Sequence, residues 1–167
     1  TTCKFVRLPG YWMYFKAKED KPNNSGMVDF EELEIQVISP SVDILEITPS
    51  GNTLNVRWSI AECDQATGYE IYRYSDSLGY EAEICETGVP SSIGYQFIGS
   101  VEGINNTTFL DDNSGAGLIH GQKYCYMIVT TFRDGSESYP CAEFCGELTR
   151  DVPILSKVSI AVTDLTQ

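Results

Sequence analysis

The sequence lacks any uninterrupted apolar run approaching the roughly 20 residues that a membrane-spanning helix requires. Its amino terminus lacks the basic-then-apolar pattern of a secretion signal, so either a signal has been removed or the chain is an internal piece of a longer protein. Basic residues are few, 11 against 24 acidic ones, and the net charge of -13 disfavours contact with phosphate backbones and anionic lipids. We therefore expect no nucleic-acid partner and no membrane insertion.

Catalytic motifs are also missing. The only histidine, His120, has no serine or cysteine nucleophile pattern around it, and no P-loop or dinucleotide fingerprint occurs. Neighbouring carboxylates such as Glu31 with Glu32 and Asp111 with Asp112 are expected by chance in so acidic a chain, whereas glycoside hydrolysis needs two carboxyls facing one cleft. One histidine cannot complete a nucleophile, base and orienting group, so we predict no enzymatic activity and no cofactor.

No CxxC pair occurs among the cysteines, which argues against a zinc site. The six cysteines are Cys3, Cys63, Cys85, Cys125, Cys141 and Cys145. An even number without metal-ligand spacing predicts disulfide bridges, which persist outside a reducing cytoplasm. We therefore expect an extracellular or cell-surface location.

Short segments of alternating polarity dominate what is present, and this alternation predicts half-buried strands. The segments are 11–18, 30–38, 53–58, 69–74, 95–101, 107–111, 124–132 and 142–148. Turn-forming sequences rich in glycine, asparagine and aspartate separate them, and no long helical pattern occurs. The predicted fold class is all-β, with strands spaced as in an antiparallel β-sandwich.

Pro40 and Pro153 lie beside alternating segments and predict domain joints. Residues 1–39 hold one hairpin with a polar loop, and two strands cannot bury a core, so the hairpin either completes a preceding domain or docks on the central one. We expect 1–39 to be the terminal strands of a preceding domain. Residues 40–150 have the length of one sandwich domain, and 151–167 are predicted to be a linker and the first strand of a following domain.

The central stretch resembles the fibronectin type III family. Trp58 closes the second strand in LNVRW, GYEIYR follows from Gly68, and Tyr124 in LIHGQKYCYMIV stands where the family has its corner tyrosine. The resemblance implies that Trp58 fills the space between two sheets and that the Tyr124 hydroxyl ties a loop to its sheet. Replacing Trp58 with alanine is then expected to be strongly destabilising.

A narrower resemblance concerns the string CETGVPSSIGYQFIGSVEGINNTTFLDDNSGAGLIHGQKYCY followed by DGSESYPCAEFCGELTRDVP. It is similar to fibronectin-type repeats of very large Bacteroidetes surface proteins, which leave by type IX secretion and are associated with gliding motility. There the repeats follow an immunoglobulin- or cadherin-like domain whose last strands resemble PGYWMYFKAKEDKP and FEELEIQVISP. No sorting domain of that system is visible in these residues.

The resemblance implies a non-catalytic structural or adhesion repeat of a large secreted cell-surface protein. Its partners would be neighbouring repeats of the same or identical chains, and at the surface glycans or other proteins. The alternative is an accessory spacer module of a secreted polysaccharide-degrading enzyme. A catalytic domain on the same full-length chain would favour the alternative, and further sandwich repeats would favour the adhesin.

Two disulfide pairs are expected in the central domain. Cys125 and Cys145 lie on predicted neighbouring strands, where opposed residues come close enough to bridge. Cys63 and Cys85 flank GYEIYR and fall where the resembling repeats carry cysteines, so the resemblance implies that they pair.

Cys3 and Cys141 are left over, and both depart from the repeat pattern. We expect them to bridge the amino-terminal hairpin to the central domain and to stiffen that joint. Other connectivities stay open, because spacing alone does not fix the pairing of six cysteines.

Oxygen-rich loops are candidates for calcium, since cadherin-like joints bind this ion with carboxylate and carbonyl oxygens. The candidates are Glu19 with Asp20, and Asp111, Asp112 and Asn113. No EF-hand spacing is present, so a turn-forming role is the default expectation and no metal is assigned.

Ser77 is a candidate for O-linked glycosylation. The triplet Asp76, Ser77, Leu78 matches the short acidic–serine–aliphatic pattern on which Bacteroidetes attach glycans.

Overall fold

Nine strands form three antiparallel sheets in residues 2–18 and 28–149, the parts of the chain that the computed structural model describes. In chain order the strands are β1 (Tyr11–Lys18), β2 (Val28–Ile35), β3 (Ile44–Ser50), β4 (Thr53–Trp58), β5 (Ala66–Ser75), β6 (Gln96–Glu102), β7 (Thr108–Asp111), β8 (Lys123–Phe132) and β9 (Phe144–Glu147). Within these residues no helix is long and apolar enough to cross a membrane.

Strands β1 and β2 form a two-stranded ribbon of their own, with Tyr11 opposite Ile35 and Lys18 opposite Val28. Strand β1 has the predicted bounds. Strand β2 covers most of the predicted segment 30–38, but it begins two residues earlier and ends three residues earlier than predicted. The predicted loop around residues 22–26 and the predicted strand after Ile154 lie outside the described residues.

The other seven strands form a sandwich. One sheet has the order β3-β4-β7 and the other the order β6-β5-β8-β9, with every pairing antiparallel. The all-β antiparallel sandwich predicted from alternation is therefore confirmed. Strand β3 adds an edge strand to the predicted set, and its Pro49 is tolerated there because an edge position needs no further ladder hydrogen bond.

The core lies between the two sheets. Leu54, Val56 and Trp58 alternate along β4 and are almost completely buried, and they face Tyr69 and Ile71 of β5. The rings of Trp58 and Tyr69 meet edge to face with their centroids 5.3 Å apart, a favourable arrangement for aromatic quadrupoles. Trp58 is thus the core residue that the sequence predicted.

The corner tyrosine is also confirmed. Tyr124 is buried, and its hydroxyl accepts a hydrogen bond of 3.1 Å from the backbone N–H of Ile119. This bond fixes the loop that leads from β7 into β8, the role that the resemblance implied.

Candidate functional site

The amino-terminal segment is joined covalently to the sandwich by a disulfide between Cys3 and Cys63, whose Cα atoms are 5.3 Å apart. The predicted pairs Cys63 with Cys85 and Cys3 with Cys141 are therefore wrong, since Cys85 and Cys141 are free thiols. The physical reason is that Thr2–Phe5 form a short 3-10 helix beside the loop after β4, and Cys3 and Val6 join the core there. A bridge between the hairpin segment and the central domain does exist, but with a different partner.

Further contacts fix the same joint, which we define as residues 3–10 with the loops at Cys63 and Asp134. The backbone N–H of Leu8 donates a hydrogen bond of 2.8 Å to a carboxylate oxygen of Asp134, in the turn after β8. A hydrogen bond from Ser136, with the one from Leu8, holds the pKa of Asp134 below its ordinary value despite some desolvation. The guanidinium of Arg7 stacks over Tyr11 at 3.8 Å and so links the joint to the start of β1.

The hairpin formed by β1 and β2 exposes an apolar face. Opposed residues of an antiparallel pair share a face, so Tyr11 with Ile35 and Met13 with Leu33 lie together, followed by Phe15, which lies opposite Glu31. Phe15 is 47% exposed and Leu33 49%. An apolar surface of this kind on a two-stranded ribbon is typical of an interaction surface.

The opposite face of the hairpin is mixed. There Trp12 and Tyr14 lie opposite Glu34 and Glu32, and the ammonium of Lys16 lies 5.6 Å from the ring centre of Phe30. Charges interleaved with aromatic rings suit a face in contact with water. The two faces therefore differ in the way that the inner and outer faces of a sandwich sheet do.

A second disulfide, Cys125 with Cys145, joins β8 to β9 as predicted, with the Cα atoms 4.0 Å apart at directly opposed positions. The carboxylate of Glu143 lies beside it, on the approach to β9. Glu143 accepts hydrogen bonds from the Tyr95 hydroxyl at 2.6 Å and from the N–H groups of Leu78 at 2.9 Å and Gly79 at 3.2 Å.

These bonds fasten the long connection between β5 and β6, residues 76–95, to the sheet. The Ser77 hydroxyl also donates a hydrogen bond to Glu143. Ser77 is exposed, and its glycosylation stays a prediction. Glu143 was not among the predicted site residues, although its position two residues before Cys145 placed it on the same side of a strand.

The loop of Asp111, Asp112 and Asn113, a candidate for calcium, holds an internal ion pair. Asp111 is buried, and both of its carboxylate oxygens accept hydrogen bonds from the Arg73 guanidinium, at 2.8 and 2.9 Å. The Tyr126 hydroxyl donates to the same carboxylate at 2.7 Å, and Asn113 accepts from Arg73 at 2.8 Å. Arg73 supplies the positive charge next to the Asp111 carboxylate, which agrees with the turn-forming role expected by default. Glu19 and Asp20 lie outside the described residues.

Neither of the adjacent carboxylate pairs shares a cleft. Glu31 and Glu32 follow each other on β2 and so point to opposite faces, and Asp111 is buried whereas Asp112 is exposed. His120 is exposed in the turn before β8, with a ring nitrogen 3.3 Å from the carbonyl oxygen of Thr149.

An open groove of about 560 Å³ lies on the outer side of the four-stranded sheet, next to the turn after β8. Its lining includes the carboxylates of Glu70, Glu102 and Glu137. The Tyr72 hydroxyl donates to Glu70, and burial with the nearby charge of Glu70 raises the pKa of Glu137. The groove residues include serine and threonine but no histidine or cysteine, so no serine or cysteine nucleophile with a histidine base is assembled there.

No protein-family model matches the chain, and no curated protein sequence does. Among solved structures it is similar to a fibronectin III-like protein from Clostridium thermocellum, at 23% identity over 65% of this chain and 92% of that one, with a TM-score of 0.43. It is also similar to part of the spore cortex lytic enzyme SleM of Clostridium perfringens, at 17% identity over 81% of this chain, with a TM-score of 0.47. A β-1,2-glucanase from Parabacteroides distasonis matches at 17% identity over 77% of this chain, with a TM-score of 0.47.

This chain spans 38% of the length of the lytic enzyme and 17% of the length of the glucanase. With identities of at most 23% and TM-scores below 0.5, these likenesses carry no inference about activity. The antiparallel sandwich rests on the observed strand order and pairing alone.

Proposed function

We propose that this chain is a non-catalytic structural segment of a large exported cell-surface protein, of the Bacteroidetes gliding or adhesion type that its repeats resemble. In this proposal residues 1–39 are the last strands of a preceding domain, 40–150 are a fibronectin type III-like domain, and 151–167 lead into a following one. Its partners are neighbouring repeats and, at the surface, glycans or other proteins. Its place is extracellular.

The observation that carries the proposal is the apolar face of the hairpin beside a covalent joint. Met13, Phe15 and Leu33 are each more than 40% exposed, although their spacing on opposed strands is that of a sheet packed against another layer. The occupant that fits is the facing sheet of a preceding sandwich domain, because this face carries two charged residues, Asp29 and Glu31, against four on the opposite face. The Cys3–Cys63 bridge then links that domain to the next one.

The experiment uses a longer piece of the same open reading frame that includes the sequence preceding this chain. Phe15→Glu places a charge on the apolar face, and Tyr14→Glu is the matched control on the opposite face. Phe15→Glu should lower the unfolding midpoint of the preceding domain by about 10 °C or more. A buried unpaired charge costs several kcal/mol, and a loss of 1 kcal/mol lowers the midpoint of a small domain by about 4–8 °C. Tyr14→Glu should change it little, and equal effects of the two would contradict the proposal.

The absence of catalysis has its own test. Purified chain incubated with bacterial and plant polysaccharides should release no reducing sugar, and the carboxylates of Glu70, Glu102 and Glu137 in the outer groove are the residues on which this expectation depends. Turnover that a carboxylate substitution abolishes, for example Glu137→Gln in the outer groove, would overturn the non-catalytic part of the proposal. A catalytic domain encoded on the same chain would instead favour the accessory spacer of an enzyme.

A further inference from the structure

Two of the six cysteines remain as thiols in different surroundings. Cys85 is exposed in the connection between β5 and β6, and Cys141 is buried in the segment that leads into β9. Neither belongs to the joint at Cys3 or to the bridge across β8 and β9. In the oxidising compartment that the proposed function implies, cysteines are usually paired, so the two remaining thiols call for an explanation.

The backbone segments that carry the two thiols run side by side in opposite directions. Gly79 hydrogen-bonds to Glu143 near one end, and the N–H of Gly88 donates to the carbonyl of Ser138 at 3.1 Å near the other. As residue numbers rise along the connection, the numbers of the partners fall. Cys85 lies between Gly79 and Gly88 in the connection, and Cys141 lies between their partners Ser138 and Glu143 in the other segment.

A third contact lies next to both cysteines. The backbone N–H of Cys85 donates a hydrogen bond of 3.1 Å to the hydroxyl of Tyr139, two residues before Cys141. The side chain of Glu137 fills the space where a Cβ on Gly88 would stand, so the two segments are closely packed there. The connection is therefore held against the segment that contains Cys141.

The turn that carries Cys85 leaves its side chain exposed, whereas Cys141 is buried. Cys85 has a φ of 70°, in the left-handed region that residues other than glycine seldom adopt, and Ile84 beside it is 92% exposed. Rotation of Cys85 to a negative φ relieves that conformation and moves its side chain to the other side of the backbone. Only an exposed turn has to move, since the contacts at Gly79 and Gly88 flank it.

We propose that Cys85 and Cys141 form a third disulfide, closed by exchange with a small-molecule disulfide such as oxidised glutathione. The Cys85 thiolate attacks one sulfur of glutathione disulfide, which forms a mixed disulfide and releases one glutathione thiolate. The Cys141 sulfur then attacks the Cys85 sulfur and loses its proton to solvent, and a second glutathione leaves. Two protein thiols are oxidised while one glutathione disulfide is reduced to two thiols.

The order of these steps follows from exposure. The Sγ of Cys141 accepts a hydrogen bond of 3.0 Å from the N–H of Ile128, and burial raises its pKa to about 12. Cys141 therefore reacts second, when the turn swings inward, and Cys85 meets the oxidant first. The product would lock the connection to the segment that leads into β9, whether or not the proposed surface role is correct.

The test is peptide mapping of the purified 167-residue chain, without reductant, before and after incubation with a glutathione redox buffer. Free thiols are alkylated after unfolding. We expect both thiols to be lost after oxidation, with Cys85 linked to Cys141 and the bridges Cys3–Cys63 and Cys125–Cys145 retained. The variant Cys85→Ser should keep those two bridges and leave Cys141 open to alkylation.

Tyr139→Phe removes only the hydroxyl that holds Cys85, so closure should become several-fold slower without a change in connectivity. Recovery of Cys85 as a stable glutathione adduct or as a dimer between chains, with Cys141 still alkylated, would overturn the proposal. So would a product in which Cys85 is linked to Cys63.

Discussion

At the scale of single residues, the stability of the sandwich depends on a few side chains with many buried contacts. Trp58 has 1% of its surface exposed and packs against Tyr69, whose hydroxyl donates to the carbonyl of Ile104 at 2.8 Å. The indole N–H of Trp58 has no hydrogen-bond partner in the described residues. Its contribution is therefore burial and shape, not hydrogen bonding.

Trp58→Ala should accordingly lower the free energy of unfolding by about 3–5 kcal/mol, because it leaves a cavity between the sheets. Urea unfolding followed by tyrosine fluorescence measures this directly. Trp12→Ala is the matched control, since Trp12 is half exposed on the hairpin, and it should change stability by no more than about 0.5 kcal/mol. A loss below about 1 kcal/mol for Trp58→Ala would mean that the core is not built around this ring.

Residue-scale prediction from sequence succeeded where the signal was local and failed where a partner was distant. Trp58 and Tyr124 stand at positions that a strand and corner pattern identifies. Arg73 was missed as the partner of Asp111, although a charged residue at the inward position after Tyr69 and Ile71 could have indicated a buried ion pair. The identity of that partner depends on packing between the two sheets, which no local pattern contains.

At the scale of elements, the connection 76–95 shows how one carboxylate can hold a long loop. Burial alone would raise the pKa of Glu143. Hydrogen bonds from Ser77, Tyr95 and the N–H groups of Leu78 and Gly79 have the larger combined effect, and the pKa lies below the ordinary value of 4.5. A carboxyl whose pKa is lowered on folding stabilises the folded state above its unfolded pKa. This stabilisation is lost as the pH falls through the folded value.

We therefore expect acid to release the start of the connection before the sandwich itself unfolds. The amide proton shifts of Leu78 and Gly79, followed by NMR, should titrate with a midpoint below 4.5, the ordinary value for glutamate. Glu143→Gln should abolish that titration because the amide side chain carries no ionisable proton in this range. A midpoint at or above 4.5 in the unsubstituted chain would contradict the proposed anchoring role of Glu143.

Strand prediction was the most complete part of element-scale inference. Alternation of polarity identified β1, β4 and β8 closely, but only β4 is buried on alternate residues as a strand with one face on the core should be. Strand β1 is exposed along nearly its whole length, and β8 is buried on both faces. Disulfide pairing was predictable only for Cys125 and Cys145, which oppose each other on adjacent strands. The partner of Cys3 depends on how residues 2–9 fold back onto the loop at Cys63, and strand periodicity says nothing about that.

At the scale of the whole molecule, the bridge between Cys3 and Cys63 makes the amino-terminal hairpin part of the same mechanical unit as the sandwich. The hydrogen bond from Leu8 to Asp134 and the buried Val6 support the same attachment. A segment that joins consecutive sandwiches in a surface protein gains stiffness from such a covalent joint. The central claim is that this bridge encloses the hairpin, β3 and β4 in a covalently closed loop, so that force applied at the amino terminus passes from Cys3 directly to Cys63.

Single-molecule stretching of the chain by its two ends tests this claim most directly, with Cys85→Ser used to keep the proposed third bridge out. The Cys3–Cys63 bridge spans 60 positions, so reduction should lengthen the unfolded chain by about 220 Å, at about 3.6 Å per residue. The Cys125–Cys145 bridge spans 20 positions and should add about 70 Å. An increment of about 500 Å would instead indicate Cys3 bridged to Cys141, and no increment beyond that of Cys125–Cys145 would show that Cys3 is not bridged to the sandwich.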